Sequence, residues 1–291
     1  MDKADLDVFE TARPSLLGLA YRILGSRADA EDAVQDCFLK WSAADRNTIA
    51  KPAAWLSTIC TRRCLDVLRG PNRARVDYVG PWLPEPIQMA VAAPDADSDL
   101  AASLTTAFLL MLERLTPKER AAYLLHEIFD HPYEEIADAL EMTEPACRQL
   151  VARAKTHIDQ RKVRQVTPAP VQDRLLSAFQ SAINSGDASQ LSTLLSADIR
   201  LTADGGGKVS AAARVLQGHE VMLFLKHAHR WWEGYTWNIT HMSGGRGAIL
   251  SKDGQPMLTL SFDCDETGRI DEIFIMRNPD KLAHLDPVAI H

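Results

Sequence analysis

Arg148, Gln149, Arg153 and Lys155 fall within one short stretch, and their types suit one task. Guanidinium and carboxamide groups make paired hydrogen bonds to guanine and adenine edges in a major groove. At roughly 100° per residue, Cys147, Leu150, Val151, Ala154 and Ile158 share one face of a helix. Arg148, Gln149, Ala152 and Thr156 point the other way, with Arg153 and Lys155 on the flanks and Glu144 in the first turn. Such a helix is expected to read DNA.

A helix of this kind needs a partner to set it in the groove. Upstream, Ile136, Ala137 and Leu140 form an apolar stripe on a first helix, and Glu141-Met142 make a short turn. Thr143 is expected to cap the second helix through its hydroxyl, and Pro145 falls in the first turn, where its missing N–H costs nothing. Residues 115–158 therefore read as a helix-turn-helix. The plain alternative is an amphipathic helix with a solvated charged face. Context favours DNA: from Arg148 to Arg164 six Lys or Arg stand against one acid, Asp159, in a chain of net charge −7. A local excess near phosphates matters more than the global sum.

At 291 residues, 46% hydrophobic and 24% charged, the chain is globular and holds two or three domains of about 100–200 residues each. No apolar run approaches the roughly 20 residues that span a bilayer. The N-terminus, MDKADLDVFE, lacks the basic-then-apolar order of a signal peptide, so a cytoplasmic protein with no membrane partner is expected. Cys37, Cys60, Cys64, Cys147 and Cys264 are odd in number and read as small buried thiols. Cys60 and Cys64, one helical turn apart, lack the CxxC or paired His of a metal site, so no metal is expected.

Residues 1–70 read as all-helical. Leu16, Leu17, Leu19, Ala20, Ile23 and Leu24 carry one helix, and Ala33, Val34, Phe38, Leu39 and Trp41 the next, after Gly25-Ser26. Four acids at the start of the second suit the positive end of a helix dipole. Residues 42–53 read as a loop, and a helix from Ala54 to Arg69 presents Arg62, Arg63 and Arg69.

Taken together, AYRILGSRADAEDAVQDCFLKW with PAAWLSTICTRRCLDVLR, followed by LTPKERAAYLLHEIFDHPYEEIADALEMTEPACRQLVARAK, resemble regions two and four of the bacterial RNA polymerase sigma factors that keep only those regions. The resemblance implies two all-α sigma domains and core RNA polymerase and promoter DNA as partners. It implies that Asp29, Glu31, Asp32, Gln35 and Asp36 dock on the polymerase clamp. The loop 45–51 and Arg62, Arg63, Asp66 and Arg69 would engage the melted minus 10 element, while Glu144, Arg148, Gln149, Arg153 and Lys155 would meet the minus 35 element. Opening a duplex needs a pocket for an unstacked base beside a cationic groove, which agrees with the arginine helix. Many relatives carry Arg-Asn where this chain has Thr61-Arg62.

Residues 71–103 read as a linker, basic at Arg73 and Arg75 and acidic at Asp95, Asp97 and Asp99. A solvated tether is the bland account. Trp82-Leu83-Pro84-Glu85-Pro86 instead sets a large aromatic and a leucine among stiff prolines, which suits docking into a groove. After region four (104–166) and the break at Val166-Thr-Pro-Ala-Pro170, helices are expected at 172–184, 188–195 and 218–233. Strands are expected at 199–202, 235–242, 247–251, 257–264 and 270–276. Helices followed by an antiparallel meander argue for an α+β fold with a concave sheet over 171–291. This order is similar to the SnoaL-like members of the nuclear-transport-factor-2-like superfamily, whose cones enclose pockets. Asp204-Gly205-Gly206-Gly207-Lys208, the WLPEP stretch and Asn278-Pro279-Asp280-Lys281-Leu282 resemble the three hallmarks of sigma factors with such an extension, which implies regulation in cis. The two glycine- and proline-marked motifs are expected to hold the extension against the sigma part.

His227, His229, Trp231, Trp232, Tyr235, Trp237, Asp204 and Asp263 are the candidate catalytic groups. No pair among them is spaced to force acid and base roles, so no catalysis and no cofactor are expected. A small apolar ligand inside the cone stays open as a reading. The tryptophans equally serve to fill the concavity, and the triple glycine lacks the strand-loop-helix setting of a phosphate loop. The expected function is that of an alternative sigma factor controlled by its third domain. The alternative is a ligand-sensing helix-turn-helix regulator that acts without joining core polymerase.

Overall fold

The computed structural model describes residues 3–70, 78–88, 103–158 and 167–286. Arg73, Arg75, Asp95, Asp97, Asp99, Asp159, Arg161, Lys162 and Arg164 lie outside the described residues. The chain divides into two compact units, residues 1–74 with 109–160, and 75–108 with 161–291. Regions two and four thus share one unit, and the linker from residue 75 onward belongs to the other.

The first unit is helical. Helices α1 (Lys3–Leu24) and α2 (Arg27–Ala43) are separated by Gly25 at φ 69, and the Ser26 hydroxyl accepts the Asp29 N–H at α2's start. A 3₁₀ turn (Arg46–Thr48), capped by Asp45, precedes α3 (Pro52–Arg69). Phe9, Leu16, Leu19, Trp41, Leu56 and Leu65 are buried between these helices. Helix α4 (Thr106–Leu112), which belongs to this unit from Leu109 onward, leads to α5 (Pro117–Tyr123), which opens with a capping box between Thr116 and Glu119 and runs into a π turn (Leu124–Ile128). Helices α6 (Tyr133–Leu140) and α7 (Glu144–His157) form the helix-turn-helix, with Glu141 in the left-handed region at φ 53.

Thr143 stands at the N-cap of α7, but its side chain makes no capping hydrogen bond, against the sequence expectation. The second helical residue is Pro145, which has no N–H for the hydroxyl to accept. The proline takes the place of one of the two amides a threonine cap would satisfy.

The second unit is α+β and SnoaL-like. Helices α8 (Ala169–Ser185), α9 (Ala188–Leu194) and α10 (His219–Trp231) cover one face of a six-stranded sheet, and a final turn, α11 (Pro279–Leu282), follows the last strand. The strands are β1 (Leu195–Asp204), β2 (Leu216–Gln217), β3 (Thr236–Met242), β4 (Gly245–Lys252), β5 (Gln255–Cys264) and β6 (Ile270–Met276), in the order β2-β1-β6-β5-β4-β3. The meander β3 to β6 is antiparallel, whereas β1 runs parallel to β6, so the sheet is mixed. Leu176, Phe179, Ile183, Leu225, Leu250, Leu260 and Ile273 fill the space beneath the helices. Among the described residues, no helix is long and apolar enough to cross a membrane.

Candidate nucleic-acid interface

Helix α7 presents Arg148, Gln149 and Arg153 to solvent and buries Cys147, Leu150, Val151 and Ala154. Its cations are already paired within their own unit. Arg148 bonds Glu144 and lies 4.2 Å above the Tyr133 ring, an arrangement that orients the guanidinium. Lys155 Nζ lies 2.7 Å from Glu127, and Arg153 Nε 4.0 Å from Glu119. The Arg148 and Arg153 side chains are more than half-exposed and that of Lys155 about a third, so these are surface pairs of little strength.

The four residues assigned to the minus 10 element do not act as one cluster on α3. Arg62 reaches the C-terminal end of α6, its Nη2 donating to Asp138 O at 2.6 Å and its Nε to Ala139 O at 3.2 Å, with Glu141 3.6 Å away. A cation there meets the negative end of the helix and its last carbonyls, of which Asp138 O also accepts Glu141 N at 3.4 Å. Arg63 pairs with Asp36 on α2 at 2.5 Å, and Asp66 with Arg69 at 3.8 Å. Lys51, at the start of α3, bonds Glu135 of α6 at 2.9 Å. That bond holds the Glu135 carboxyl below its ordinary range and raises the Lys51 ammonium.

Deeper between the two regions, Arg120 is 3% exposed and donates to Ile23 O at 2.7 Å, to Leu112 O at 3.0 Å and to Glu113 at 2.6 Å. Arg22, equally buried, lies 5.5 Å from the Phe129 ring. Burial pulls both guanidinium groups down to about 10.

On α2, Asp29, Glu31, Asp32 and Gln35 are exposed and Asp36 half-buried; Glu31 pairs with Arg27 at 2.8 Å. Beside them Phe9, Leu17, Val34 and Phe38 floor a groove between α1 and α2, rimmed by Glu10, Arg13, Glu31 and Gln35. The acids were legible in the sequence; the groove was not, because its floor comes from two helices.

In the second unit, the parallel pairing of β1 with β6 sets Asp204 beside Met276. The two segments that follow, 205–208 and 277–282, therefore leave the sheet side by side. Asp204 is fully buried. Its carboxylate accepts Tyr78 Oη at 2.5 Å, Leu83 N at 2.9 Å, Gly206 N at 2.9 Å and Lys281 Nζ at 2.8 Å. Lys281 also donates to Leu83 O at 2.6 Å and lies 4.9 Å from the Tyr78 ring and 4.6 Å from the Trp82 ring. Asn278 donates to Tyr78 Oη at 3.0 Å, and Lys208 pairs with Asp280. Burial, then the Asp204 carboxylate, raise the Tyr78 phenol.

Leu83 is 1% exposed, and Pro84 and Pro86 lie over Met242, Thr259, Phe274 and Met276 on the sheet face away from the helices. Glu85 is half-buried. Ile87 exchanges hydrogen bonds with Ser243, Gln88 with Asp286, and His284 bonds Pro86 O at 2.7 Å. Residues 78–88 form a strap fastened along its length. Tyr78 was missed in the sequence; the available signal was a second aromatic shortly before Trp82.

Five of the candidate catalytic groups make structural contacts. Asp204 serves the strap, His227 and His229 bond backbone carbonyls of their own helix at 2.7 and 2.8 Å, and Trp232 meets Trp237 edge to face at 5.9 Å. Cys37, Cys60, Cys64 and Cys147 are buried with thiols that do not form disulfides, and Cys264 is half-buried. Hydrogen bonding to Cys60 and burial push the Cys37 thiol up. Among the described residues, no three His, Cys, Asp or Glu side chains gather to hold a metal.

Residues 8–74 match the family Sigma-70 region 2, and residues 105–158 match Sigma-70, region 4. The ECF RNA polymerase sigma factor SigJ of Mycobacterium tuberculosis is 36% identical over 219 residues, which cover 74% of this chain and 70% of that one. The chain belongs to the ECF RNA polymerase sigma factors. The probable ECF sigma factor SigI of the same organism is 30% identical over 275 residues, covering 93% and 92% of the two chains. The crystal structure of the SigJ protein superposes with a TM-score of 0.74 at 30% identity over 96% of this chain and 98% of that one. The likeness thus extends through the mixed-sheet domain. As an alternative sigma factor the protein directs transcription initiation, and a regulator working without polymerase leaves residues 8–74 without a role.

Proposed function

We propose that this ECF sigma factor reads the minus 35 element with Arg148 and Gln149, aided by Glu144, Arg153 and Lys155, and meets the melted minus 10 strand with Arg62, Arg63, Asp66 and Arg69. Core polymerase docks on Asp29, Glu31, Asp32, Gln35 and Asp36, with the apolar groove between α1 and α2 taking part. The third domain controls this activity in cis.

The observation that carries the control is the strap. Residues 78–88 lie on the covalent path from region two to region four, and Asp204, Lys281 and Ser243 fasten them to the third domain. That domain is therefore part of the tether between the two DNA-binding regions, and any change in it alters what they can reach. A second support is that Arg62, a minus 10 candidate, is engaged by region four through α6. The motifs Asp204–Lys208 and Asn278–Leu282 thus act on the linker.

The test is run-off transcription with core polymerase and a cognate promoter, comparing the full chain with one ending after residue 166. Changed output supports control in cis, and equal output from both contradicts it.

A further inference from the structure

Arg148 meets two groups of different kinds, a carboxylate that takes a hydrogen bond from it and an aromatic ring that takes none. Resting on the reading that Arg148 contacts a base of the minus 35 element, we infer that Tyr133 is a positioning residue for that contact. Its ring sets the attitude of the Arg148 guanidinium, so that choice of base, rather than grip on DNA, depends on it.

The ring reaches α7 from the first residue of α6, and the turn before it is closed. Asp130 is in the left-handed region at φ 55, and His131 N donates to Leu125 O at 2.9 Å. Pro132 then stands at the N-cap of α6 with φ −68, the value its own ring imposes. From the π turn, His126 packs on the Tyr133 ring with the centroids 4.1 Å apart. Its Nδ1 lies 3.3 Å from His131 O, and since a carbonyl only accepts, that nitrogen donates. Tyr133 is thus braced by a side chain tied to the same turn.

Arg148 lies near the N-terminal end of α7, the part of a recognition helix that meets base edges. Its Cζ is 4.2 Å from the Tyr133 ring centroid, and its Nη2 donates to Glu144 one turn earlier. The side chain is still 58% exposed, so its tip is open to DNA. Paired bonds to guanine need the planar fork of a guanidinium held in line with the base, and an unrestrained arginine loses side-chain entropy in holding it there. Glu144 competes with a base for N–H donors. The ring does not, because it attracts the cation through its π face. Tyr133 can therefore keep its hold on Arg148 while the base is read.

The test uses the full chain with core polymerase and measures transcription from the cognate promoter relative to promoters with single-base changes in the minus 35 element. Tyr133→Leu should lower that preference about two- to fivefold, and Tyr133→Met, a second variant without a ring, should do the same. Tyr133→Phe retains the ring face and should retain the preference. In an Arg148→Ala background, Tyr133→Leu should lower it no further. The salt dependence of promoter binding should be as steep for Tyr133→Leu as for the intact chain, since no phosphate contact is lost. Equal losses on every promoter, a loss that persists without Arg148, a Tyr133→Phe loss as large as that of Tyr133→Leu, or a shallower salt dependence would each overturn the inference. A preference untouched by Arg148→Ala would sink the base-reading role and the inference with it. A preference lost in Arg148→Ala but kept in Tyr133→Leu and Tyr133→Met would sink the inference alone.

Discussion

Lys281 Nζ lies 2.8 Å from a carboxylate oxygen of Asp204, with the Asp204 side chain fully buried and that of Lys281 9% exposed. The two residues stand 77 positions apart, and the strap's Leu83 amide and carbonyl bond one each. Removing one member leaves the other buried and uncompensated, the costly way to break an ion pair.

Asp204→Asn is therefore expected to destabilise the second unit by about 3–5 kcal/mol, read as a lowered urea midpoint. Asp204→Asn with Lys281→Met should cost less than Asp204→Asn alone, because no unpaired charge remains. A single-variant loss below about 1 kcal/mol would match a surface pair and contradict the burial argument.

Gly206 has φ 59, and a Cβ there would lie 2.3 Å from Asn278 Nδ2. Gly206→Ala should cost about 1–3 kcal/mol and loosen Asn278 from Tyr78. Gly254→Ala is the control: φ is 74, but nothing lies within 4 Å of the added carbon, so only the backbone term of about 1 kcal/mol applies. Equal midpoints for the two variants would show that the close approach to Asn278 does not matter.

Those positions also show how far the sequence could be read. The four strands from Tyr235 to Met276 announced themselves by alternation and glycine turns, and the helices by their apolar stripes, because both signals are local. The partnership of β1 with β6 was not visible: it joins Leu201 to Ile273 with α10 and four strands between. Strand β2 has only two residues, too few to show a period. Among the candidate site residues, acids and arginines were picked by type alone, but the pairing of Lys155 with Glu127 or Arg62 with Ala139 needed the fold. The Thr116–Glu119 capping box was legible in LTPKE and went unread, while the Thr143 hydroxyl was overvalued, since Pro145 removes one of the two amides it could accept.

If Arg148 and Gln149 read bases, Arg148→Ala and Gln149→Ala should each weaken minus 35 recognition by about 1–3 kcal/mol. The loss should appear on the cognate promoter and shrink on a scrambled one. Equal losses on both, in a competition assay with the polymerase complex, would assign the two side chains to phosphates instead.

The Lys51–Glu135 bond gives the contact between α3 and α6 a pH window. Glu135 is depressed, so its contribution is present above the unfolded carboxyl value of about 4.3 and lost as pH falls through the lower folded value. Lys51 is raised, so its contribution is present below about 10.4 and lost as pH rises through the higher folded value. The distance between spin labels at Lys40→Cys on α2 and Glu134→Cys on α6 should be constant between these limits and lengthen beyond each. Glu135→Gln should remove the acid-side loss; a loss that persists in this variant would assign it to another carboxyl.

Transcription reconstituted from purified parts tests the account most directly. Core polymerase, a cognate promoter and the full chain should yield a defined run-off product that disappears when the chain is omitted and falls strongly with Arg62→Ala or Arg148→Ala. Promoter-specific transcripts that survive both substitutions, or none with the intact chain, would contradict it.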